Sequence, residues 1–173
     1  GVNNFITGTY GTPYPTEVLM AQTWNTDLLY DLGLAMGQEY ADVNNYGVYG
    51  PAMNTHRSAF AGRNFEYYSE DGVLAGKLAA AQVNAMATKG TYNYIKHFAL
   101  NDQETNRCAF LLTYSNEQAI REIYLKPFEL CIKNFDGTQI AVMSSFNWIG
   151  TVPACANEDT LTTILRNEWG FQG

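Results

Sequence analysis

The sequence predicts an α/β protein, an incomplete TIM-like (β/α)8 barrel holding about four strand–helix units. Short β-prone runs alternate with helical patterns, an order that demands parallel strands joined by right-handed crossovers. The polar stretches 50–63, 96–107 and 144–148 each follow a β-prone run, and barrel enzymes keep their chemistry at the C-terminal ends of parallel strands. The alternative, a doubly wound sheet, usually carries a glycine-rich phosphate turn, and no GxGxxG, GxxxxGK or GxSxG occurs here. A complete barrel takes eight units and about 250 residues. The chain has 173, so positions 1–173 read as part of one catalytic barrel domain.

Taken in order, Thr7–Thr16 has the glycine and proline content of a loop, and Val18-Leu19-Met20-Ala21 is a brief apolar run suited to a short strand. A helix is expected from Thr26 as N-cap, with Leu28, Leu29, Leu32, Ala35, Met36 and Tyr40 on one face; Gly33 and Gly37 suggest close packing against a neighbour. Tyr46–Gly50 is β-prone and ends at Pro51. A long polar loop follows, and then the alanine-rich segment 72–86 predicts a helix, with acids before its start and Gly90 past its end. Tyr92–Lys96 is the next strand. Ser115-Asn116-Glu117-Gln118 fits a capping box for a helix reaching about Asn134, kinked at Pro127. Asp136-Gly137 turns the chain into a buried strand over Gln139–Ser145, and Asn157 caps a last helix closed by Gly170.

Composition narrows the partners. With 46% hydrophobic and 16% charged residues the chain is an ordinary globular sequence. Its net charge of −7 argues against nucleic acid or an anionic membrane, both of which need clustered positive charge. Twelve tyrosines, nine phenylalanines and three tryptophans suit sugar faces and apolar cores equally. Cys108, Cys131 and Cys155 are odd in number and widely spaced, so they read as buried thiols with neither a disulfide framework nor a metal site. Gly1-Val2-Asn3-Asn4 shows no signal peptide and looks like the middle of something longer, which leaves the compartment open, and no apolar run is long enough to span a bilayer.

The stretch Tyr92–Arg107 carries the chemistry. A β-prone run delivers Lys96 and His97 to its end, and a loop dense in amides and acids follows, closing on Arg107. Desolvating a lysine and a histidine side by side is costly, which points to a charged ligand or a carboxylate. Glu66, Glu70, Asp71, Asp102 and Glu104 lie in the same loops, where helix capping and loop hydrogen bonding account for them.

Several motifs in order resemble glycoside hydrolase family three, the β-glucosidase group. They are Asn54-Thr55-His56-Arg57, Gly62–Asp71, Lys96-His97-Phe98, Asn101–Arg107, Arg121–Glu129 and Asn167–Gly173, and together they cover nearly the whole chain. The resemblance implies a barrel that binds a terminal sugar, with Arg63, Lys96, protonated His97 and Arg107 as sugar or nucleophile contacts and with no cofactor or metal. It places the catalytic aspartate just after Gly173 and the acid/base glutamate in another domain. The complete protein is then expected to be a retaining exo-β-glycosidase acting on β-glucosides or oligosaccharides, and the isolated chain inactive. Phe146 departs from the family pattern, which usually has tyrosine there, so a hydroxyl beside the nucleophile is lost. The family's N-acetylglucosaminide branch carries a histidine soon after its Lys-His pair; here His56 and His97 are the only two, which disfavours that branch.

Two other readings remain at this level. Lys96 at a barrel strand end could be the Schiff-base lysine of an aldolase type, or the chain could be a sugar-binding module without chemistry.

Overall fold

The computed structural model describes residues 11–173. The Thr7–Tyr10 part of the predicted loop lies outside the described residues. In chain order the elements are α1 (Glu17–Ala21), α2 (Thr26–Asp42), β1 (Gly47–Val48), α3 (Gly72–Ala87), β2 (Tyr92–Phe98), β3 (Leu112–Thr113), α4 (Glu117–Ala119), α5 (Lys126–Lys133), β4 (Ile140–Ser144), β5 (Trp148–Ile149), β6 (Val152–Pro153) and a terminal π-type helix, Asp159–Glu168.

The main sheet is wholly parallel, in the order β1-β2-β4. Helical crossovers join its strands, so their C-terminal ends emerge on one side, as a section of a barrel requires. Three strand–helix units are complete, and α2 precedes them as a helix without a described strand before it. A second, small sheet, β3-β5-β6, caps the loop side and has no counterpart in the sequence reading.

Close backbone approach holds the helices behind the sheet. A Cβ on Gly33 of α2 would lie 2.6 Å from the Gln82 carbonyl and 2.8 Å from the Ala85 Cβ of α3, so the predicted close contact of that helix is met there. One on Gly76 of α3 would sit 2.7 Å from the Leu130 Cβ of α5. Between these helices and the sheet, Leu78, Val83, Ile95, Leu125 and Phe128 are fully buried. Phe98 stacks edge-on to Phe128, ring centroids 5.2 Å apart, and also meets Trp169. Burial on this scale is the main stabilising term of such a domain.

Several local expectations are corrected. Val18–Ala21 is helical: the Thr16 carbonyl accepts from Leu19 and Met20, and the turn buries Met20 and Ala21. Asn25, not Thr26, caps α2, its side chain accepting from the Asp27 and Leu28 amides at 3.0 Å. Leu28 faces outward. Asn116, not Ser115, caps α4, accepting from Ala119 at 2.8 Å. The single kinked helix is instead α4, a π-type run over Ile120–Tyr124, and α5, with Pro127 in the first turn of α5, where its missing N–H costs nothing. Cys131 is buried, but Cys108 and Cys155 are exposed, Cys108 in a turn and Cys155 on the outer side of the short 3-10 turn Ala154–Ala156. The strand expected over Gln139–Ser145 ends at Ser144, which leaves Phe146 in the following turn. The helix at 72–87 is as expected, capped by Asp71. Among the described residues no helix is long and apolar enough to cross a membrane.

Candidate active site at the strand ends

β2 sets the position of the site. Along it Asn93, Ile95, His97 and Phe98 are buried, while Tyr92, Tyr94 and Lys96 are less so. The pairing with β4 shifts register between Lys96 and Phe98, an irregularity of the kind that re-aims side chains beside active sites. The peptide bonds Lys96–His97 and Phe98–Ala99 are cis.

The segment after β1 is laced to this strand. Lys96 N–H donates to the Pro51 carbonyl at 3.1 Å, and Met53 N–H to the Lys96 carbonyl at 2.9 Å. Asn54 then makes a reciprocal pair with His97: its amide donates to the His97 carbonyl at 2.9 Å and its oxygen accepts the His97 N–H at 2.8 Å. From α1, the Glu17 carboxylate accepts the Ala52 N–H at 3.1 Å. Burial pushes the Glu17 carboxyl well above the usual range, against the Ala52 hydrogen bond and the attraction of Lys96.

Across the strand ends runs a chain of alternating charges. Lys96 Nζ lies 3.1 Å from Glu66 Oε2. Glu66 Oε1 accepts from Arg63 Nε, Arg63 Nη1 reaches Glu104 at 3.5 Å, and Glu104 Oε2 takes Arg107 Nε at 3.1 Å. The side chains are only 15–27% exposed, so each charge is partly desolvated and needs its partner. Burial alone would raise the Glu66 carboxyl, but the Arg63 hydrogen bond and the Lys96 charge outweigh it and hold it below the ordinary value. Three cations against two carboxylates leave one positive charge over, so the cluster favours a further anionic or hydroxyl-rich group.

Chain order continues into the aromatic residue of the sequence reading. The Arg107 guanidinium lies 5.0 Å from the ring centroid of Phe146, which is 62% exposed. Behind it, Ser145 Oγ and Asn147 Nδ2 both donate to the Ala99 carbonyl, at 2.9 and 3.2 Å, pinning the end of β4 to the end of β2. Arg63, Lys96, Arg107 and Phe146 are therefore brought together, with His97 beside them.

His97 differs from expectation in charge. The sequence reading treats it as a protonated donor; burial, followed by the nearby Arg63 and Lys96 charges, drops its pKa to about 3, so the ring is neutral. Its Nδ1 lies 3.3 Å from the Tyr67 hydroxyl. The acids also divide differently. Asp71 caps α3 as expected, but Glu66 and Glu104 are the links of the charge chain. Asp102 points away from that chain and accepts the Thr55 N–H at 3.1 Å, and burial lifts its pKa to about 7, against the Thr55 bond and the Arg57 charge. Sequence reasoning also misses Glu17, and it places Asn54 and Tyr67 in family motifs without giving either a role.

Lys96 Nζ is committed to an ion pair with Glu66, so this geometry does not support the aldolase reading.

The family model described as the glycosyl hydrolase family 3 N-terminal domain matches residues 1–173. Beta-glucosidase A of Butyrivibrio fibrisolvens is 44% identical over 166 residues, 96% of this chain and 20% of the relative. Beta-glucosidase of Ruminococcus albus is 39% identical over 96% of this chain and 17% of its own length. The chain thus spans about a fifth of the curated relatives it matches. Among solved structures, beta-glucosidase 3B from Thermotoga neapolitana in complex with glucose superimposes with a TM-score of 0.92 and 42% identity, over 100% of this chain and 24% of that one.

Proposed function

Because the chain belongs to glycosyl hydrolase family 3 through its N-terminal domain, we propose that it forms the sugar-gripping part of a retaining β-glucosidase that hydrolyses terminal β-linked glucosides. The observation that carries this reading is the charge chain Lys96–Glu66–Arg63–Glu104–Arg107 at the C-terminal ends of parallel strands. Lysine and arginine donors fixed by carboxylates can hold vicinal hydroxyls in one geometry, and hydrogen bonds that strengthen as the ring becomes oxocarbenium-like lower the barrier. Neutral His97 adds a hydrogen-bonding group without adding charge, and Phe146 holds Arg107 over the mouth of the site.

Retaining hydrolysis needs a nucleophile and an acid/base about 5–5.5 Å apart. Glu66 and Glu104 are engaged by cations, Asp71 caps a helix and Asp102 is bound to the Thr55 amide, so the charge cluster itself offers no free carboxyl, and the family resemblance places the nucleophile and the acid/base elsewhere. Both carboxyls then come from other segments of the protein, and 1–173 acts as a partial catalytic domain. The full-length protein should release nitrophenol from an aryl β-glucoside, while the isolated 173-residue chain should release none above a buffer blank. Activity of the isolated chain would overturn the division of labour, and an inactive full-length protein would overturn the assignment.

A further inference from the structure

The loop 101–107 has two working sides. On one, Glu104 holds Arg63 and Arg107, and Asn101 Nδ2 donates to the same carboxylate at 3.2 Å. On the other, Asp102 and Gln103 line a separate cleft of about 600 Å3 together with Arg57, Ser58, Phe60 and Tyr114. A backbone bond from Glu104 N–H to the Ala61 carbonyl at 3.0 Å joins the two loops that wall it. None of Arg63, Lys96, His97 and Arg107 lines this cleft.

The lining has the chemistry of a built site. Arg57 is held in place, its Nη1 donating to the Tyr124 hydroxyl at 2.8 Å with the guanidinium over that ring. Asp102 is oriented by the Thr55 amide. Phe60, 94% exposed, and Tyr114, 67% exposed, supply aromatic surface at the cleft. Against one cation, Arg57, stands one carboxyl, Asp102, whose pKa of about 7 leaves it part-protonated, so the lining carries at most one net charge and admits a neutral ligand. Its polar groups accept and donate to hydroxyls while the rings cover an apolar face, and its volume falls within the range of ligand pockets, about 300–1,000 Å3. A hexopyranose has both kinds of surface.

We infer that the cleft between loops 57–61, 101–105 and 111–114 is a second saccharide-binding site, distinct from the terminal-sugar cluster and sharing with it the loop that carries Glu104. Occupancy of the cleft bears on Asp102 and Gln103, and through the same loop on the residue that positions Arg63 and Arg107. The choice of a saccharide rests on the proposed activity; the cleft's geometry does not.

Glucose binding to the substrate-free, full-length enzyme tests it, by calorimetric titration and by crystals soaked in glucose. Two glucose molecules per chain are expected, one of them in this cleft. Phe60→Ala and Tyr114→Ala should each weaken that one by about tenfold and leave the other unchanged. Lys96→Ala should weaken only the other. One glucose per chain, or two whose affinities ignore both Phe60→Ala and Tyr114→Ala, overturns the inference. Hydrolysis of an aryl β-glucoside, measured in parallel, reports on the proposed activity alone, so the two can fail separately.

Discussion

The back of the sheet and the ends of its strands are held by different physics. Behind the sheet, α2, α3 and α5 meet through glycines and fully buried apolar side chains, with few polar groups such as Gln82 among them. At the strand ends, loops are held by alternating ion pairs, reciprocal amide bonds and a guanidinium over a ring, while large aromatic side chains such as Phe60 and Phe146 stay exposed. The first region stabilises the fold and leaves the second free to spend interactions on a ligand. Substitutions in the two should therefore be separable, costing stability behind the sheet and catalysis in front of it.

The largest effect is expected at the back. Phe128 is wholly buried and packs edge-on to Phe98. Phe128→Ala should lower stability by about 3–5 kcal/mol through lost transfer energy and a cavity, read as a fall in the denaturant midpoint. The kcat/KM of the enzyme that remains folded should stay near wild type. A large loss of kcat/KM in folded protein would show that the helical layer also sets the site.

In front, Lys96→Ala and Arg63→Ala should each cost about 2–4 kcal/mol in kcat/KM, the scale of charged hydrogen bonds removed from an enclosed ligand. Thermal stability should fall much less, since Glu66 keeps one cation when the other is lost. Unchanged kinetics with an aryl β-glucoside would put this cluster outside the reaction.

The same contrast decides what was legible in the sequence. The helix at 72–87 and the packing role of Gly33 follow from periodicity and from the geometry of small residues, and both are rules about local pattern. Lys96 and His97 at a strand end are legible too, because desolvating them needs a reason. What the pattern does not carry is pairing at a distance in the chain. Glu66 and Glu104 look like ordinary loop acids until Lys96 and Arg63 are brought against them across the strand ends. Glu17 is further still, its carboxylate committed to Ala52 by a contact spanning two elements. The protonated His97 of the sequence reading fails for the same reason, since its neutrality comes from burial and from cations that only the fold assembles.

Asp102 sits between the two regions, and its effect should be smaller and dependent on pH. Its folded pKa of about 7 lies above the usual 3.8, so the native state holds a proton that the unfolded chain releases. Stability from this group is present at acid pH, declines as pH rises from about 4 to about 7, and stays lost above that. Asn cannot ionise, yet keeps the oxygen that accepts from Thr55. Asp102→Asn should therefore match wild type in melting temperature near pH 4 and exceed it near pH 8. An equal difference at both pH values would mean that the carboxyl is not desolvated in the folded enzyme.

The smallest expected effect concerns Phe146, the position where the chain parts from its family pattern. The ring lies under the Arg107 guanidinium and is largely exposed, so it can accept a hydroxyl without repacking. A cation over an exposed ring is worth about 0.5–1 kcal/mol, and tyrosine keeps that face. Phe146→Tyr should thus leave stability within a few tenths of a kcal/mol. Its new hydroxyl adds a donor at the rim of the charge cluster. If the nucleophilic carboxylate supplied by the rest of the protein sits within reach, that donor stabilises its ionised form and lowers its pKa. The acidic limb of the kcat/KM profile in the full-length enzyme should then move to lower pH, whereas Phe146→Ala, which frees Arg107 without adding a donor, should not move it that way. An acidic limb that stays put or moves up in folded Phe146→Tyr would show that this ring anchors Arg107 alone and stands away from the reacting carboxylate.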